Sequence, residues 1–247
     1  MNTYKSSAQL KGMAREQLFG HYGTALGALF FEFLFILFSL TLLSTITTPF
    51  LSKGNIMGMI AAYLPACAVF LLMGLFASGS AYLYLKLSCY EMVSVNDILY
   101  GFQICPGKAI TLQLCSLLAV IACQLPSQIA EYLYKVSSPY SSLWILSILL
   151  FILGYMVAVF ISLMLSQSFY LLQDFPQYSA KELLQTSCRM MKGHKRRLLY
   201  LSVSFFPLYL LALFSFGLAI LWILPYQKAV MANFYMDLIC HSQNKGN

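Results

Sequence analysis

Charge is what this sequence has least of. Asp, Glu, Lys and Arg make up 9% of its 247 residues, while 60% are hydrophobic. A soluble domain carries about 25% charged residues. A chain so poor in ions has no polar coat to set between its apolar side chains and water, so it takes lipid as its solvent. Acids are scarcer than bases, eight against fifteen, which leaves a net charge of +7. No stretch is long and polar enough to build a water-facing domain. The surplus therefore speaks of topology and anionic lipid headgroups, and no nucleic-acid surface is expected.

The patterns that carry chemistry are also missing. The seven cysteines include no C-x-x-C pair and lie in apolar runs or beside basic segments, so they read as small buried hydrophobes. His21, His194 and His241 are far apart and form no zinc pattern, so no metal or cofactor is expected. There is no G-x-S-x-G, Walker A, H-E-x-x-H or pair of intramembrane aspartates. Glu16, Glu91, Asp97, Glu131, Asp174, Glu182 and Asp237 fall at span ends or in interfacial segments, where they read as solvated or capping. The chain is not expected to be an enzyme. No cleaved signal is expected either, because the first apolar run begins only near Thr24, after an amphipathic segment.

What is present is a series of long apolar runs. About 20 apolar residues cross a bilayer core as helix. Runs of that order occur at 25–48, 59–85, 109–133 and 143–171, and the last, 198–238, is long enough to cross twice. Gly217 within "FSFGLA" suits a tight reversal there, giving spans at 198–215 and 218–238. The expected fold is all-α: one membrane domain over 1–247, a six-span bundle. In this layout twelve Lys or Arg residues share one side with both termini, Lys53 and Lys135 lie opposite, and Lys228 lies within a span. The basic side is then cytoplasmic.

Each outward span follows a similar introduction. Ser6-x-x-Gln9, Ser94-x-x-Asp97 and Ser179-x-x-Glu182 open short segments that close on Gly20, Gly101 and Gly193. A serine at the N-cap accepts an orphan N–H, the residue three on can bond back, and glycine suits a left-handed stop. Interfacial amphipathic helices are thus expected at about 6–19, 94–100 and 179–192. Leu10, Met13, Ala14 and Leu18 oppose Lys11 and Arg15; Ala180, Leu183, Leu184, Ser187 and Met191 oppose Lys181, Gln185, Arg189 and Lys192. Apolar sides should enter the acyl boundary and cations the headgroups. Three repeats of interfacial helix plus hairpin are one reading of this pattern; chance recurrence of a common motif is the other.

Four stretches, "AQLKGMAREQLFGHYGTALGALF", "YLYLKLSCYEMVSVNDILYGF", "SCRMMKGHKRRL" and "LAILWILPYQKAVMANFYMDL", resemble, in order, domain-of-unknown-function family 975. The resemblance implies a six-span bundle in a bacterial plasma membrane and brings no activity with it. Members often carry a basic residue and Gly-Glu where this chain has "LSCYEM", so only Glu91 keeps that feature.

Candidate functional residues come from the few polar side chains inside spans. Glu32 stands alone in "LFFEFLF". It lies seven rises from residue 25, roughly 10 Å deep, and Lys228 lies roughly 15 Å above Asp237, so the first and sixth spans can join them in an ion pair. Ser80, Ser166, Gln167, Ser168 and Gln227 add a polar collar that either glues helices together or lines a cytoplasm-facing cavity. Arg189, Lys192, Lys195, Arg196 and Arg197 anchor the fifth span and also suit anionic lipid or an acidic partner. Two functions fit: a scaffold or accessory factor binding lipid or another membrane protein, or a small transporter or lipid-handling protein.

Overall fold

The computed structural model describes residues 4–51, 56–136 and 141–243; Lys53 and Lys245, which entered the charge count above, lie outside them. The described chain is helical and contains no strand. Five stretches are long and apolar enough to cross a membrane: Tyr22–Pro49, Leu64–Ser88, Pro106–Tyr134, Trp144–Asp174 and Lys195–Phe214.

The short amphipathic α1 (Ser7–Leu18) starts at a reciprocal capping box. Gln9 N–H donates to Ser6 Oγ at 3.3 Å while Ser6 N–H donates to Gln9 Oε1 at 2.8 Å. Gly20, at φ +85°, turns the chain into α2 (Tyr22–Leu51), and α3 (Ile56–Ser88) returns. A 3-10 turn over Val95–Leu99 and one turn of helix, α4 (Tyr100–Gln103), then lead into the long hairpin of α5 (Pro106–Val136) and α6 (Ser141–Leu165). The helix α7 (Ser168–Asp174) precedes α8 (Ala180–Met190), which has its own reciprocal box from Ser179 and Glu182. Finally α9 (Lys195–Val203) and α10 (Phe206–Phe214) run out, and α11 (Ile220–Gln243) comes back. The reversal is made by Phe216 and Gly217, both at positive φ.

Several expected boundaries are corrected. The segment at 94–100 keeps the expected Ser94–Asp97 box, with Ser94 N–H donating to Asp97 Oδ2 at 2.8 Å, but it forms a short 3-10 turn in place of an amphipathic α-helix. Its Ile98 is buried, and a Cβ on Gly79 would meet Ile98 O at 1.8 Å. Gly101 is not a left-handed stop; a Cβ there would meet Leu75 O at 2.1 Å, so it lets α4 lie directly on α3. The 143–171 run matches the stretch Trp144–Asp174, but its helix is interrupted at Ser166 and Gln167, where Ser166 Oγ and Ser168 Oγ donate back to the carbonyls of Leu163 and Leu165 and compete with the helix ladder. The 198–215 run matches the stretch Lys195–Phe214, with its helix interrupted at Ser204 and Phe205, because Pro207 has no N–H for the carbonyl of Val203. The cysteines are not core residues either: Cys67, Cys89 and Cys240 are exposed and the rest half-buried.

The core occupies one end of the bundle. Leu10, Leu18, Leu83, Ile98, Leu183, Leu198, Phe205 and Phe234 are among its fully buried side chains. That is the end where the cations cluster. The apolar sides of α1 and α8 close this core instead of entering lipid. Leu10, Ala14 and Leu18 are covered by α11 and α3, and Leu183, Ser187 and Met191 are buried while Arg189 and Lys192 stay outside. Towards the other end, α2, α6 and α10 expose Phe38, Leu153 and Leu213. The helix α11 is buried on nearly every side from Ala229 to Leu238, as a central helix must be.

The end of α3 is closed by a left-handed residue. Glu91 N–H donates to Lys86 O and Tyr90 N–H to Leu87 O, the paired bonds of a Schellman stop, with Tyr90 at φ +57°. An L side chain in the left-handed region costs about 1 kcal/mol, and Tyr90, 69% exposed, gains little packing in return. Tyr90→Gly is therefore expected to raise thermal stability in detergent by about 1 kcal/mol. An unchanged or lower melting temperature would show that the ring contributes more than the strain.

Candidate functional site

Glu32 and Lys228 are brought together by the two helices that carry them. The α2 helix presents Glu32 and α11 presents Lys228, with Nζ 2.7 Å from Glu32 Oε2 and a further donation to Ser80 Oγ of α3 at 3.1 Å. Three helices are thus tied at one polar point. The rest of the expected collar does not join it. Gln227 Oε1 accepts from Tyr209 OH, joining α10 to α11. Gln167 Nε2 donates to Ser166 Oγ at 2.8 Å, and Ser166 and Ser168 bond to their own helix. Of these residues, Gln227 is the one whose bond joins two helices among the described residues.

Beside the ion pair a cavity of about 550 Å³ opens laterally between α2 and the α10–α11 reversal. Leu29, Phe33 and Ile36 form one wall and Phe216, Leu221 and Leu224 the other, with Glu32 and Lys228 between them.

The basic end holds a second constellation that sequence reasoning missed. Asp237, expected to be solvated or capping, is 1% exposed, and its carboxylate accepts from Arg197 Nη2. It also accepts the Lys5 N–H at 3.4 Å, and Arg197 donates to Lys5 O. Tyr4 stacks on His241 at 4.1 Å and tilts against His194 at 4.5 Å, while the Arg197 guanidinium lies over the rings of Tyr4 and Phe234. Arg197 is therefore withdrawn from the exposed cations, and Lys195 is turned over the ring of Phe160 at 4.2 Å. Arg189, Lys192 and Arg196 remain outward. One signal was available: Arg197 stands four residues before the buried Leu201, on the covered face of α9.

Next to this cluster, Gln17 and Asn233 bond reciprocally through their amides, at 2.6 and 3.2 Å, and Gln17 also donates to Ser88 O. Lys11 donates to Ser204 O at 3.2 Å, and burial together with neighbouring Arg15 pushes its pKa down. The Ser179 backbone and hydroxyl hold the Glu182 carboxyl below its ordinary value. Among the described residues no group of three His, Cys, Asp or Glu side chains converges to hold a metal.

The described residues are helical throughout and include five stretches long and apolar enough to cross a membrane, as an α-helical membrane protein requires. The chain belongs to the family described as protein of unknown function (DUF975), whose model matches residues 1–242. No curated protein and no solved structure matches it.

Proposed function

We propose that this is a non-catalytic scaffold or accessory protein of a bacterial plasma membrane, which grips anionic lipid through its cytoplasmic face. In this reading α11 is a sixth crossing, about 36 Å long at 24 residues, and both termini are cytoplasmic. Its polar side chains are compatible with lipid because Lys228, Asn233 and Asp237 are spent on protein partners.

The observation that carries the reading is what stays outside once the core has closed. Arg189, Lys192 and Arg196 remain outward, and a shallow depression of about 360 Å³ lies beside Arg189 and Lys192, floored by Leu184, Gln185 and Cys188. Cations beside a small apolar floor suit a phosphate head with the start of its chain. Each such cation contributes about 1 kcal/mol near an anionic surface.

The test is native mass spectrometry of the whole protein in mild detergent, set against the triple variant Arg189→Gln, Lys192→Gln, Arg196→Gln. Arg197 is left alone because it holds Asp237. Retention of added phosphatidylglycerol is expected to weaken at least tenfold, with phosphatidylcholine unaffected. Equal retention by both forms, with no protein partner lost from the variant, would refute the reading.

A further inference from the structure

The lateral cavity has a chemistry of its own, separate from the basic face. Its walls are apolar, yet Glu32 and Lys228 show 17% and 29% of their side chains. An ammonium has three N–H donors. Among the described residues, those of Lys228 meet Glu32 Oε2 and Ser80 Oγ, which leaves one. No described residue donates to the second oxygen of Glu32. A spare donor and a spare acceptor thus stand side by side in an apolar groove, roughly 15 Å below the nearer end of α2 by helical rise.

We propose that this groove binds an uncharged, hydroxyl-bearing amphiphile of the long-chain alcohol or monoacylglycerol class. The hydroxyl accepts from Lys228 and donates to Glu32, and the chain lies between Leu29 and Phe33 on one side and Leu221 and Leu224 on the other. Charge selects this class. The ion pair is neutral, so a phosphate or carboxylate head either adds an unpaired charge to an apolar site or displaces Glu32 and leaves that carboxylate unpaired. Depth selects it as well, since charged headgroups stay at the interface while a lone hydroxyl can sink to the pair. The volume is that of an ordinary small-ligand pocket, for which roughly 300–1,000 Å³ is usual.

The experiment uses the full chain in nanodiscs with three photoreactive, clickable probes: a monoacylglycerol, a fatty acid and a phosphatidylcholine. The monoacylglycerol is expected to label peptides covering 29–36 and 216–224 at least fivefold more than either other probe, and unlabelled monoacylglycerol should compete it away. Leu221→Trp, which fills the groove from a half-exposed position, should remove the labelling without lowering the melting temperature. A second filling variant, Leu29→Trp, serves if that one fails to fold. Equal labelling by all three probes would mean ordinary boundary lipid and overturn the proposal. So would stronger labelling by the fatty acid, or cross-links from the groove to a second copy of the chain.

Discussion

Asp237→Ala should lower the stability of the folded protein by about 3–5 kcal/mol, because it strands a buried cation. The carboxylate is almost completely covered and meets the guanidinium of Arg197, whose Nη1 is itself buried without a partner among the described residues. Removing the acid leaves Arg197 between the rings of Tyr4 and Phe234 with, among the described residues, only Lys5 O to accept from it. Replacing both members, as Asp237→Leu with Arg197→Met, should recover most of the loss, since the cost lies in the uncompensated charge. Unfolding by sodium dodecyl sulfate in mixed micelles reads both variants. A single variant as destabilised as the double would show that the ions matter through packing alone.

Lys228→Met should cost nearly as much, about 3 kcal/mol, by leaving Glu32 unpaired among Leu29, Phe33 and Leu224. Ser80, which accepts from Lys228 in the native protein, also loses its donor. Changing both, Glu32→Leu with Lys228→Met, should return stability to within about 1 kcal/mol of native. The same micelle titration measures it. If the single variant unfolds where the native protein does, the pair contributes nothing to closing α2 on α11 and the three-helix tie is wrong.

The residues that sequence made legible are those whose signal is local. The caps at Ser6 and Ser179 need only a partner three residues on, and Gly193 and Gly217 take their left-handed conformation from within their own turns. Glu32 and Lys228 stood out because charge is rare in a span, and counting helical rise from each end put them at similar depth. Arg197 was hidden among similar neighbours, since a run of cations does not announce which member faces inward. Gln17, midway through "REQL", gives no sign of meeting an amide 216 positions later. The 94–100 segment misled because a serine cap says that a helix begins, while its length was set by Gly79 and Gly101 allowing two backbones to touch. The groove depends on how α10 and α11 splay from α2, which no one-dimensional pattern records.

The pairing of α1 with α11 also has a consequence for biosynthesis. Lys5 waits for Asp237, 232 positions later, and Gln17 waits for Asn233. Until α11 is made, α1 has neither partner, and twelve residues are marginal as an isolated helix in water. Its capping box and the Gly20 stop need nothing from elsewhere in the chain. They let the helix form before α11 is made, when the two segments close this core together.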